Sequence, residues 1–203
     1  MFRLTHPLPK KCIVAVSGGR DSMAGLHFLM RKPERVAGVI HIHHSTGEFA
    51  DRSKEFVSDY CHKNNLSLTI ATYPHEEKTE EAWRNFRYSI FHSFELPVIT
   101  GHHADDCLEE YVICMTKRGY LGTIPYQNKN VIRPFRTWKR ESINDYVIKN
   151  NIPYVEDPTN TDTKYLRNKV RHEVIPMLLQ INPGIHSLVE KAIGIQDSRN
   201  ETN

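Results

Sequence analysis

Several common signals are missing from this 203-residue sequence, and each absence removes a class of protein. No apolar run approaches the ~18 residues of a membrane span, so no membrane partner is expected. The opening residues, Met1 to Lys11, lack the continuous apolar segment of a secretory leader. The four cysteines, Cys12, Cys61, Cys107 and Cys114, form no Cys-x-x-Cys pair and no zinc spacing. They read as reduced, partly buried thiols of a cytoplasmic protein. Neither the Gly-x-Gly-x-x-Gly dinucleotide fingerprint nor the kinase-type loop ending in Gly-Lys-Ser/Thr is found. Internal repeats and low-complexity tracts are absent too.

What is present is ordinary in bulk and uneven in detail. Hydrophobic residues make up 39% and charged residues 25%, values that suit one globular domain with a buried core. Net charge is only +3, yet the informative cations gather between Lys117 and Arg171, which points to a local anionic partner. Strand-like runs (12–16, 36–41, 66–71, 97–100 and a short 131–133) alternate with helix-like ones (22–30, 51–64, 78–94, 104–116, 141–150, 165–179). This alternation predicts an α/β fold: a parallel twisted sheet flanked by helices on both faces, with a helical C-terminal extension. Residues 1–180 are expected to form the main domain, and 181–203 a short helical end with a tail that frays from Gln196.

One stretch organises the rest. The apolar run Cys12 to Val16 ends abruptly in Ser17-Gly18-Gly19-Arg20-Asp21-Ser22, and a helical pattern follows. Glycines let main-chain N–H groups approach an anion, and a helix start adds unpaired N–H groups and the positive end of its dipole. Ser17 and Ser22 can donate hydroxyl hydrogen bonds, whereas Asp21 repels phosphate unless a divalent cation lies between them. The alternative is an ordinary strand-to-helix turn. In such sheets ligands sit off the carboxyl ends of the strands, where His43-His44 and Gly101-His102-His103 also fall. His43 is expected to rim a nucleotide pocket, with metal binding as the alternative.

Further along, Arg84, Arg87 and Tyr88 share a helical face, which reads either as a solvated basic face or as a phosphate contact. Asp105 and Asp106 begin a helix, and Asp106 and Glu109 are i,i+3 neighbours that could hold a cation or an ammonium group. Lys117-Arg118-Gly119-Tyr120 and Arg133-Pro134-Phe135-Arg136-Thr137-Trp138 mix cations with rings, which suits an unpaired nucleic acid strand, with ordinary basic loops as the alternative. Downstream, an acidic Pro/Thr/Asn turn from Glu156 feeds a helix carrying Arg167 and Arg171 one i,i+4 step apart.

The Ser17–Ser22 string resembles the PP-loop of the N-type ATP pyrophosphatases. With Arg84-x-x-Arg87-Tyr88, His103-Ala-Asp-Asp106, Glu109, Arg118-Gly119, Arg133-Pro134, Glu156-Asp-Pro-Thr-Asn160 and Arg167-Asn-Lys-Val-Arg-His172, the chain resembles the tRNA(Ile)-lysidine synthetases over residues 12 to 180. That resemblance implies an adenylating ligase. ATP activates O2 of the wobble cytidine in a CAU anticodon, and the ε-amine of free L-lysine then attacks C2 and expels AMP. It implies ATP and Mg2+ as cofactors, Ser17 to Ser22 with His43 and His103 around the nucleotide, and Asp21 and Asp106 on the metal. Asp106, Glu109, Asp21 and Arg84 would be catalytic, and Arg87, Lys117, Arg118, Arg133, Arg136, Arg167 and Arg171 would touch tRNA. A homodimer is left open. Three departures stand out: Ser45-Thr46-Gly47 where a Gly-Leu-Arg-like segment is usual, Cys107 in place of a common glutamine, and an end near residue 203. The competing readings are a PP-loop tRNA thiolase and a non-catalytic RNA- or nucleotide-binding protein of the same fold.

Overall fold

A computed structural model of the chain describes residues 4–75, 79–158, 163–164 and 166–201. Its six-stranded sheet comprises β1 (Cys12–Ala15), β2 (Val36–His43), β3 (Leu68–Thr72), β4 (Val98–Ile99), β5 (Gln127–Asn128) and β6 (Val131–Ile132) in the order β3-β2-β1-β4-β6-β5. All neighbours run parallel except β5 and β6, which form an antiparallel edge hairpin absent from the sequence expectation.

Strand alternation sorts the side chains into two cores. Cys12, Val14 and Val16 of the first strand run, with Val39, Ile99 and Ile132, pack on one face. Their sequence neighbours Ile13, Ile40, Val98 and Val131 pack on the other. The first face is covered by α1 (Arg20–Leu29), α2 (Glu48–Lys63) and α5 (Arg140–Lys149), through residues such as Met23, Val57 and Ile143. The second is covered by α3 (Glu80–His92), through Phe91 and Ile90. Near-continuous apolar strands are what a sheet covered on both sides demands. Lys78, expected at the start of α3, lies outside the described residues.

A third apolar cluster joins α4 (Ala104–Ile113) to the C-terminal helices. Two expectations change here. The single helix predicted over 165–179 is divided into α6 (Leu166–Lys169), a wide π turn (Val170–Val174) and α7 (Ile175–Ile181), with Tyr165 outside the described residues. Pro176 in the first turn of α7 has no N–H to donate backward, so the α ladder is interrupted there. The stretch from Gln196, expected to fray, is helical as far as Glu201, within α8 (Ile185–Glu201). Val189 and Ile193 of α8 are buried against Leu108 and Val112 of α4. Gln196 accepts a hydrogen bond from the Thr123 N–H (3.1 Å) and returns one to its carbonyl (3.2 Å).

Beside it, Asp197 pairs with Arg136, whose side chain is wholly buried. Removing one partner of such a pair leaves an uncompensated charge in a dry place. Asp197→Ala is therefore expected to lower unfolding stability by about 3–5 kcal/mol, read from urea denaturation. A change below about 1 kcal/mol would show that Arg136 does not need this partner.

Candidate active site

The strand order places the site. From β1 the chain moves one way to β2 and β3, whereas β4 lies on the opposite side of β1. The loops after β1 and β4 therefore diverge and leave a crevice at their carboxyl ends. Gly18 adopts φ +87° and its carbonyl accepts a hydrogen bond from the Val155 N–H (3.0 Å). A side chain there would meet Val155 and Ser53 at 3.1 and 3.2 Å. Ser22 closes the loop: its hydroxyl donates to the Gly19 carbonyl (2.8 Å) and accepts from the Ser17 N–H (3.2 Å). Ser17 Oγ accepts from the Gly19 N–H (3.3 Å) and lies 3.1 Å from Ser22 Oγ.

This loop borders a cavity of about 480 Å³ that also receives Arg84, Arg87 and Tyr88 from α3, Asp106 from α4 and Arg167 from α6. Burial lowers the pKa of Arg87, and the guanidinium groups of Arg84 and Arg167 add to that repulsion. Among the described residues neither Arg84 nor Arg87 has a carboxylate within 4 Å. Three guanidinium groups facing a hydroxyl- and amide-lined turn make a receptor for a polyanion. A second cavity of about 460 Å³ lies beside it and shares Ser17, Asp21, Ser22, Phe49 and Asp157 with the first.

His103 is the hub of the acidic side. Its ring is 1% exposed and its Nε2 lies 3.4 Å from Asp21 and 3.6 Å from Asp106, with Nδ1 3.6 Å from Asp105. Burial opposes a charge on this ring, but Asp106, Asp105 and Asp21 outweigh it and raise the pKa to about 10. The backbone N–H of the same residue donates to the Asp106 carboxylate (2.9 Å), which closes the start of α4. His103 thus braces the acids and does not line either cavity. Asp21 and Asp106 both line the first cavity, and carboxylates there suit Mg2+, an ion held by one or two of them with substrate phosphates completing its shell. No group of three or more His, Cys, Asp or Glu able to hold an ion exists among the described residues.

Several residues named from sequence do something else. His43 is buried and bonds Asp51 of α2 (3.0 Å), so His41 and His44 line the cavity in its place. The Arg20 side chain is spent on Asn144 (2.8 Å), Tyr154 (3.2 Å) and Glu156, and ties the helix start to α5 and the 152–157 segment. Glu109 is buried and gripped by Arg171 through Nε (2.6 Å) and a second nitrogen (3.0 Å), with Arg140 and Arg167 each 3.7 Å away. Both its oxygens are committed, so it positions Arg171 and does not receive a substrate. Arg171 also reaches Asp106 (3.5 Å), and Arg167 bonds Glu110 (2.8 Å), so these two arginines fasten α4 to the helices after it. Arg133 and Arg136, expected on RNA, are 2% and 0% exposed. Their guanidinium groups donate to the carbonyls of Pro125 (2.8 Å) and Ile124 (3.1 Å), and nucleic acid cannot touch them. Lys117 and Arg118 are exposed, on a π turn (Cys114–Arg118), and Arg118 pairs with Glu110 (2.6 Å). Of the Glu156–Asn160 block, Thr159 and Asn160 lie outside the described residues.

Sequence reasoning placed His102 at the strand ends beside His103 but gave it no role. Its Nδ1 is 2.8 Å from Thr100 Oγ1 and its ring lines the cavity. Burial, with Arg133, Arg87 and Arg167 nearby, lowers its pKa to about 3 although Asp106 pulls the other way. It is therefore a neutral hydrogen-bonding group in a charged chamber. Its neighbour His103 carried the motif, and only the backbone geometry separates the two roles.

The profile of the PP-loop domain matches residues 3–178. This chain belongs to the PP-loop family. It is 34% identical to the tRNA(Ile)-lysidine synthase of Lactiplantibacillus plantarum, over 84% of this chain and 42% of that protein. It is 33% identical to the Thermotoga maritima enzyme of the same name (90% and 49%) and 34% identical to that of Petrotoga mobilis (85% and 61%). The chain thus spans about half the length of these curated relatives. The PP-loop architecture is also shared with the U34-tRNA thiolase NcsA from Methanococcus maripaludis, solved with its [4Fe-4S] cluster. That structure superposes with a TM-score of 0.69 at 13% identity, covering 91% of this chain and 71% of that one, a likeness of fold alone.

Gly101 tests how tightly the two loops of the PP-loop site are held. A Cβ there would sit 3.1 Å from Ser22 Cα and 3.2 Å from the Asp21 carbonyl carbon, both of them backbone. Gly101→Ala is expected to push the start of α1 aside and weaken ATP binding about 10-fold, measured by titration calorimetry, with helical content retained.

Proposed function

We propose that the chain is the adenylating part of a tRNA(Ile)-lysidine synthetase. It joins free L-lysine to C2 of the wobble cytidine of a CAU anticodon through an adenylated tRNA intermediate. The observation that carries the reading is the meeting of Asp106 with the Ser17–Ser22 turn in one arginine-lined cavity. Identities of about 34% to synthases of that name support it. The Ser17–Ser22 turn and the guanidinium groups of Arg84 and Arg87 bind and orient the triphosphate for attack at its α-phosphorus. Mg2+, when bound at Asp21 and Asp106, would neutralise charge on the departing pyrophosphate.

Asp106 then serves as counter-charge to the lysine ammonium. Burial raises its pKa, but the cationic His103 ring, the His103 N–H and Arg167 together hold it below the ordinary range. A carboxylate so held docks an ammonium well and is a weak base, so the amine gives its proton to solvent water before it attacks C2. Exposed Lys117 and Arg118 supply the outer contact with the anticodon strand. A tRNA substrate places the reaction in the cytoplasm. No helix among the described residues is long and apolar enough to cross a membrane.

The thiolase reading fares worse for a chemical reason. All four cysteines are buried and unpaired, and burial pushes Cys12 and Cys61 up to about 11 and Cys107 up to about 12. Thiols so placed neither attack nor carry sulfur at neutral pH.

Lysine-dependent AMP release with a tRNA bearing cytidine 34 is the decisive assay. If labelled lysine never enters that tRNA although ATP binds, the binding-protein reading takes over. Asp106→Asn keeps the acceptor that caps the His103 N–H and removes the charge. It is expected to abolish lysine transfer in a chain that still folds, with a lowered melting temperature because His103 and Arg171 lose a counter-charge, and wild-type turnover in this variant would refute the role.

A further inference from the structure

Arg133 raises a question that its burial makes sharp. The side chain is 2% exposed, and no carboxylate lies within 4 Å of it among the described residues. One terminal nitrogen donates to the Pro125 carbonyl (2.8 Å), the other to the Tyr88 hydroxyl (2.7 Å), and Nε has no partner. A buried guanidinium without a counter-ion is costly and does not persist for packing alone.

Tyr88 lies between this charge and the cavity. Because its oxygen accepts from Arg133, its own proton must point elsewhere, and no acceptor for that proton is found among the described residues. The ring lines the same cavity as Ser17, Ser22, Arg84 and Arg87, and Arg84 stacks on it with its guanidinium 5.0 Å from the centroid. Burial raises the phenol's pKa, but Arg133, Arg84 and Arg87 outweigh it and hold it below the ordinary value.

We infer that Arg133 is a buried cation whose counter-charge is a phosphate group of the ligand, reached through the Tyr88 hydroxyl. Arg133 aims and polarises the phenol, and the phenol donates to a phosphate oxygen. Tyr88 is thus a phosphate-binding residue and Arg133 a positioning residue. The inference rests on the proposal that this cavity takes ATP.

Calorimetric titration with inorganic tripolyphosphate, ATP and adenosine tests it on wild type, Tyr88→Phe, Arg133→Met and the double variant. Each single substitution is expected to weaken tripolyphosphate binding about 10-fold, as the loss of a charge-assisted hydrogen bond does. The double variant should lose no more than either single one, because the two residues act as a unit. Adenosine binding should stay at the wild-type value. Wild-type affinity for tripolyphosphate in Tyr88→Phe, losses that multiply to about 100-fold in the double variant, or an equal loss for adenosine would each overturn it. Should Arg133→Met fail to fold, the Tyr88→Phe comparison decides alone. A wild-type protein that binds neither tripolyphosphate nor ATP would instead sink the functional proposal.

Discussion

The bidentate grip of Arg171 on Glu109 is the interaction on which the site's shape depends. Glu109 lies within α4, and Arg171 lies in the π turn after α6. Their contact presses the C-terminal helices onto the helix that carries Asp106. Burial favours the neutral form of Glu109 and the guanidinium resists it, so the two must be buried together. Once they are, Asp106 sits between Arg171 on one side and His103 on the other. Its direction is then fixed before any substrate arrives, and such preorganisation is what charge stabilisation in an enclosed site requires.

Much of the scaffold was legible in the sequence because it obeys simple periods. The run Cys12 to Val16 alternates faces as a strand must, and Ser17-Gly18-Gly19 stops it where a turn is needed. The loops after β1 and β4 met at one edge because open α/β sheets leave only that crevice. β6 was expected as a short strand at 131–133, but β5 and its antiparallel pairing were missed, since a two-residue strand carries no period to detect. The end of α8, from Gln196 onward, was read as a fraying tail because its polar residues were assigned to solvent. Two of them, Gln196 and Asp197, in fact face inward to Thr123 and Arg136.

The arginines teach the harder lesson. A cation near aromatic rings reads the same whether the rings stack on nucleotide bases or shelter the cation inside the protein. Arg133 and Arg136 belong to the second kind, and their partners are main-chain carbonyls and a carboxylate distant in sequence. Arg84 and Arg87 have no such partner among the described residues and face the cavity. Only the fold distinguishes a guanidinium used for assembly from one kept for a ligand. The same holds for the two adjacent histidines, where His103 is charged by three acids and His102 is kept neutral by burial and arginines.

The pairing of Arg136 with Asp197 also bears on the order in which a ribosome delivers the chain. The two residues are 61 positions apart, and the carboxylate is made last. Until it emerges, Arg136 lacks the carboxylate it pairs with in the folded chain, and burying it would leave an uncompensated charge. Burial of Arg136 therefore waits until α8 has been made.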